Sequence, residues 1–232
     1  MASDHYFEYC IAFNNETADE GNAAYTVLDI SALYHVFSEK PEVGGCLAGE
    51  LSVSLLKPST TIPRMAKVRP YVRVTNGTTY SEWIPQGVFY IDTRETTKND
   101  DGRDVLTIHA YDAILKAEAD YPSTSHSWPI EDVDVVKEIA WAMGLQETAS
   151  DTDGIDDRTF SVMDKTYSIG LPAGYSMREV LGNIGAMYAG NWVMNYDGQL
   201  LLIQINGIPK ETNYLVDGNS NPITFGGIKI RV

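Results

Sequence analysis

Apolar and polar residues alternate with a period of two over several runs in the first 115 or so residues, the mark of half-buried strands. In Glu50-Leu51-Ser52-Val53-Ser54-Leu55, Leu51, Val53 and Leu55 share one face and Glu50, Ser52 and Ser54 the other. Lys67-Val68-Arg69-Pro70-Tyr71-Val72-Arg73-Val74 alternates as well, with Lys67, Arg69, Tyr71 and Arg73 on one face and Asn76-Gly77 as a following turn. Pro70 predicts an edge strand or a bulge there, because proline cannot donate to a ladder. The basic residues fit either a solvated face or a contact for an acidic neighbour. Gly87-Val88-Phe89-Tyr90-Ile91 and Val105-Leu106-Thr107-Ile108 flank Asn99-Asp100-Asp101-Gly102. That pattern predicts a hairpin followed by a short helical exit.

Beyond a polar loop at 122–127 the period becomes helical. Val133, Val136, Ile139, Ala140 and Met143 predict a helix over about 130–143, with Pro129 in its first turn and Gly144 at its stop. Glu131, Asp132 and Asp134 complement the positive end of its dipole. Ser176-Met177-Arg178-Glu179 reads as a capping box, in which the Ser176 hydroxyl and the Glu179 carboxylate each satisfy an otherwise unpaired N–H. The helix it opens, about 177–189, carries Val180, Leu181, Ile184, Met187 and Tyr188 as its apolar stripe and ends at Gly190. A hairpin over 191–205 then turns at Asp197-Gly198. The fold class these elements predict is α+β, predominantly antiparallel β, with helices inserted or appended.

Several of these blocks carry a family resemblance. Glu82-Trp83, Gly87-Val88-Phe89-Tyr90-Ile91-Asp92, the Asp101-Gly102 turn, Leu106-Thr107-Ile108-His109-Ala110-Tyr111-Asp112 and Tyr121-Pro122 resemble the first hub domain of tail-tip proteins from long-tailed phages and prophages. Tyr175 to Leu181, Ile184, Ala186, Gly190-Asn191-Trp192 and Asp197-Gly198-Gln199-Leu200 are similar to the second recurring block of that baseplate hub family. The resemblance runs over roughly residues 44 to 205, and the first 40 residues carry no motif of the family.

The likeness implies a virion tail protein assembled in the bacterial host cytoplasm. It implies a trimer whose tube-like β-barrel domains form a ring adapting the tail tube to its tip, with the distal tail protein and the tape-measure protein as partners. It would divide the chain into a first tube-like β domain (1–120), a helix-containing connecting domain (121–205) and the start of a second tube-like domain (206–232). Ile228-Lys229-Ile230-Arg231-Val232 alternates like the opening of a strand, so the chain is expected to be part of a longer protein. Trp83, Tyr90, Tyr111 and Trp192 are the expected packing anchors, with Ser176 and Glu179 as the helix cap.

Charge narrows the list of partners. Seventeen Lys plus Arg stand against 32 Asp plus Glu, a net charge of −15, which argues against tight nucleic-acid binding. A negative wall would instead let DNA slide past without sticking. No apolar run reaches the length of a membrane span, and Met1-Ala2-Ser3-Asp4-His5 does not open an export signal. Cys10 and Cys46, the only cysteines, suggest two free thiols rather than a disulfide framework or a zinc site.

No catalytic constellation assembles, so no enzyme activity and no cofactor is expected. Gly174-Tyr175-Ser176-Met177-Arg178 begins like a nucleophile elbow, but Arg178 occupies the second glycine position. His5, His35, His109 and His126 are scattered, and phosphate-binding glycine loops are absent. In the acidic stretch 147–157, Asp151-x-Asp153 invites calcium, yet Val162 stands where an EF-hand loop needs a glutamate. Fourteen tyrosines and four tryptophans leave two other readings open. One is a host-surface carbohydrate-binding module, the other a non-catalytic part of a tail-associated peptidase or cell-wall hydrolase.

Overall fold

The computed structural model describes residues 6–37, 42–122 and 127–205, together with the backbone of two short strands near the end of the chain. In chain order the first elements are β1 (Tyr6–Phe13), α1 (Ala18–Ala24), β2 (Val27–Leu33), β3 (Glu50–Leu56), β4 (Lys67–Thr75), β5 (Ile84–Pro85), β6 (Phe89–Lys98) and β7 (Asp104–Asp112). These strands form one antiparallel sheet in the order β1-β4-β6-β7-β3-β2, with β5 added to β4. The sheet curls enough to bring Cα atoms of β1 and β2 within 8 Å, but among the described residues no ladder joins these two edges. The inward residues, among them Ile11, Phe13, Leu51, Val53, Leu55, Val68, Phe89 and Ile108, make one core.

The predicted hairpin is β6–β7. Gly102, at φ +75°, donates its N–H to the Asn99 carbonyl and closes the turn. A register shift between Ile91 and Thr93 bends β6, which is exposed from Asp92 to Lys98. Two expectations for this part are corrected. The first concerns Pro70, which lies inside β4 opposite Ile11, with β1 on one flank. Its carbonyl accepts the Gln86 N–H on the other flank, so the missing proline N–H also points there, where β6 has not yet begun. The second concerns α1, which stands in a region where strand signals dominate. Thr17 and Glu20 form a reciprocal capping box at its start.

At Asp112 the chain leaves the sheet through a 3-10 turn (Ala113–Glu118) and enters a second core. Its elements are β8 (Ile130–Glu131), α2 (Asp132–Ala142), α3 (Asp157–Val162), β9 (Ser168–Ile169), α4 (Met177–Met187), β10 (Gly190–Met194) and β11 (Leu200–Gln204). Ala113, Ile114 and Ala117, grouped by sequence with the first unit, pack here with Val135, Ile139, Leu181, Ile184, Trp192 and Leu200. Pro129 lies outside the helix it was expected to open, because Ile130 and Glu131 first pair with Ile169 and Ser168. Gly144 (φ +73°) follows α2, as the sequence suggested. At the end of α4 the left-handed residue is Ala189 (φ +52°). Gly190 already belongs to β10, where a Cβ would sit 2.8 Å from the Ile203 carbonyl oxygen.

Of the segment 206–232, expected to open another tube-like domain, only β12 (Thr224–Phe225) and β13 (Ile228–Lys229) are described, as an antiparallel pair. The remainder of that segment, like His5 and His126, lies outside the described residues. The architecture is α+β and mostly antiparallel β.

The Ser176 cap yields a direct test. Its hydroxyl accepts the Glu179 N–H at 3.2 Å, and the Glu179 carboxylate accepts the Ser176 N–H at 2.8 Å. Replacing Ser176 by Ala should lower the unfolding free energy by about 1 kcal/mol in urea denaturation.

Candidate functional site: an assembly surface

The two cores meet at several places among the described residues. Asp112, buried where β7 ends, accepts N–H groups from Gly49 at 2.7 Å and from Ile114 at 2.9 Å. A strap, residues 42–46, lies along β10: Gly44 N–H donates to the Gly190 carbonyl, and Trp192 N–H donates to the Gly45 carbonyl. The β10–β11 turn reaches the sheet, where Tyr196 packs edge-on against Tyr34 at 5.8 Å and Gly198 lies against Val88.

Burial pushes the Asp112 carboxyl up to about 6, although the two N–H donors, Arg178 and His35 all favour its charged form. A carboxyl with a raised folded-state pKa stabilises the fold most at low pH, and that contribution is lost as pH rises through about 6. Asn at this position cannot accept both N–H groups and does not titrate. The stability advantage of the wild type over Asp112→Asn should therefore shrink by about 2 kcal/mol between pH 4 and pH 7.5. Urea titrations of both proteins at the two pH values measure it, and a constant difference would contradict the burial argument.

The expected anchors occupy different settings. Trp192 is fully buried, its Nε1 donating to the Leu181 carbonyl at 2.6 Å. Tyr90 is half-buried, with the Lys116 ammonium 3.8 Å from its ring centre. Tyr111 is half-buried between its register partners Glu50 and Tyr90. Trp83 packs outside the core: the Arg73 guanidinium lies 4.1 Å from its ring and 4.2 Å from that of Tyr80, while Arg73 is paired with Glu8 at 2.7 Å. These rings hold an arginine of the same chain, which takes up surface that a sugar platform would need. Cys10 and Cys46 are both free and buried, and burial pushes each thiol up to about 12. Asp156, gripped by Arg158 and Asn195, has its carboxyl held far below the ordinary carboxylate range. Among the described residues no group of three or more His, Cys, Asp or Glu is placed to hold a metal ion, and no helix is long and apolar enough to cross a membrane.

The surface that stands out was not singled out by sequence. Phe7 pairs with Val74, Tyr9 with Val72, Ile11 with Pro70 and Phe13 with Val68, while Val72 also pairs with Ile84. Opposed residues in a ladder share a face, so Phe7, Tyr9, Val72, Val74 and Ile84 continue the face whose inner half, Ile11, Phe13 and Val68, is core. β6 reaches β4 only at Lys67 and Val68, and past that point the face is bare: Phe7 is 63% exposed, Tyr9 50% and Ile84 51%. The reverse face is covered along its inner half. Cys10 and Ala12 lie buried where α1 crosses β1, with Gly21 close on the Ile11 carbonyl, and Trp83 Nε1 donates to Asp19 at 3.0 Å.

No protein-family model matches the chain, and no curated protein matches it. Among solved structures, the 43 kDa tail protein of prophage MuSo2 from Shewanella oneidensis is similar with a TM-score of 0.54 at 9% identity, over 92% of this chain. A tail protein from Neisseria meningitidis MC58 is similar with a TM-score of 0.51 at 12% identity, over 93% of this chain. The fold is shared with these tail proteins. This chain spans 58% of the length of each. It is a likeness of fold, since the identities are low.

Proposed function

We propose that this chain is a structural subunit of a phage or prophage tail, at the tail tip, where three copies form a hub ring between the tail tube and the distal tip. The observation that carries this reading is the match of 92–93% of the chain to two tail proteins. The order of the hub-like blocks along the sequence supports it. In this role the chain is a scaffold and not an enzyme. Its neighbours are further copies of itself, the distal tail protein and the tape-measure protein, and its net charge of −15 suits a wall that does not retain DNA.

Immunogold labelling of tail particles, with antibodies against the purified full chain, tests the reading. Label at the distal end of the tail is the expected result, together with tailless or tipless particles when the gene is deleted in its own genome. Wild-type tails without label, together with intact tails from the deletion strain, would overturn it.

A further inference from the structure

We propose that the bare face of the β1–β4–β5 ribbon is a contact between copies of this chain, which deepens the ring reading above and rests on it. Phe7, Tyr9 and Ile84 are each at least half exposed and are flanked by the half-buried Val72 and Val74. Together they leave on the order of 300 Å² of largely apolar surface bare, comparable to the largest apolar patch on a typical soluble monomer, which is often functional. A stable interface buries roughly 800 Å² per partner, with aromatics and few charges at its centre, so this face supplies such a centre but not the whole contact.

Charge selects the partner. Two copies that each carry −15 repel wherever carboxylates face one another. The five side chains on this face are uncharged, and the nearby basic group, Arg73, points to the reverse face, where Glu8 neutralises it. Glu82, two residues before Ile84, is exposed at the margin. An acidic copy can thus be met here without burying a carboxylate. A basic partner would gain nothing from this face over the acidic remainder of the surface. The outer edge of β1 adds unpaired backbone groups beside Phe7 and Tyr9, because among the described residues its ladder partner is β4 alone.

Sedimentation velocity of the full chain from about 1 μM to about 1 mM tests the contact, comparing the wild type with Phe7→Glu, Ile84→Glu and Leu171→Glu. Leu171 is 53% exposed in the second unit, so its variant adds the same charge elsewhere. Circular dichroism melting establishes that each variant is folded. The wild type and Leu171→Glu should associate with rising concentration, more tightly as salt screens the like charges. Phe7→Glu and Ile84→Glu should associate at least about tenfold more weakly. Undiminished association of these two variants would overturn the proposal, and so would a wild type that stays monomeric throughout. Label at the tail tip in either case would leave the tail assignment standing. Absence of label with association lost only in the two ribbon variants would keep the contact and remove the tail assignment.

Discussion

Trp192→Ala should lower the unfolding free energy by about 4 kcal/mol, the largest single-residue effect expected in this chain. The indole is fully buried in the second core, among α2, α4, β10 and β11. Removing it leaves a cavity that the surrounding helices can only partly fill, and the Leu181 carbonyl on α4 loses the Nε1 donor it meets at 2.6 Å. The fit is tight on the helix side, since a Cβ on Gly185 would stand 3.1 Å from Nε1. Trp192→Phe keeps most of the apolar volume and loses the hydrogen bond, so it should cost less than half as much. Urea unfolding followed by far-UV circular dichroism separates these outcomes. A loss under about 1 kcal/mol for the alanine variant would mean that the second core is not organised around this ring.

How much of this was legible depended on how local the cause was. The β6–β7 hairpin, the Ser176 box and the Asp197-Gly198 turn are set by neighbours a few residues apart, and all three carry their signals in short stretches. The Thr17-Ala18-Asp19-Glu20 capping box was equally local. It opens a helix of only seven residues with Gly21 inside, too short for an apolar stripe to show. Pro70 misled because the rule for proline in sheets concerns which flank lacks a partner, and that flank is decided by where β6 starts. The change of core at Asp112 follows from contacts of Ala113 and Ile114 with helices that come much later in the chain.

The candidate surface was hidden for a different reason. Phe7 and Tyr9 alternate in phase with Ile11 and Phe13, so the pattern reads as one continuous inward face. Only the extent of the core divides it into a buried half, Ile11 and Phe13, and a bare half, Phe7 and Tyr9. Conversely, Trp83 looks like a core anchor by residue type, yet it stacks on Arg73 on the ribbon's reverse face, one residue out of phase with Ile84.

Asn191 is the second residue whose loss should be felt widely, because it fastens the strap to β10 where the two cores meet. Its side chain is fully buried; Oδ1 accepts the Gly45 N–H at 2.7 Å, and Nδ2 donates to the carbonyls of Val36 at 2.7 Å and Glu42 at 2.9 Å. One planar amide thus serves a donor and two acceptors that lie some 146 to 155 residues away in sequence. Alanine would leave the Gly45 N–H without its acceptor in a part-buried site. Aspartate would keep that bond but turn a charged oxygen toward two carbonyls, so neither substitution should be tolerated. Asn191→Ala is expected to cost about 3 kcal/mol. Its signature is local before it is global: the strap is held to β10 by few other bonds, so the Gly45 and Trp192 amides should exchange with solvent about a hundredfold faster, while amides in β3 and β7 keep their protection. Native-state hydrogen exchange reads both. Equal acceleration in β3 and β7 would mean that the two cores unfold as one unit and that the strap is no separate fastening.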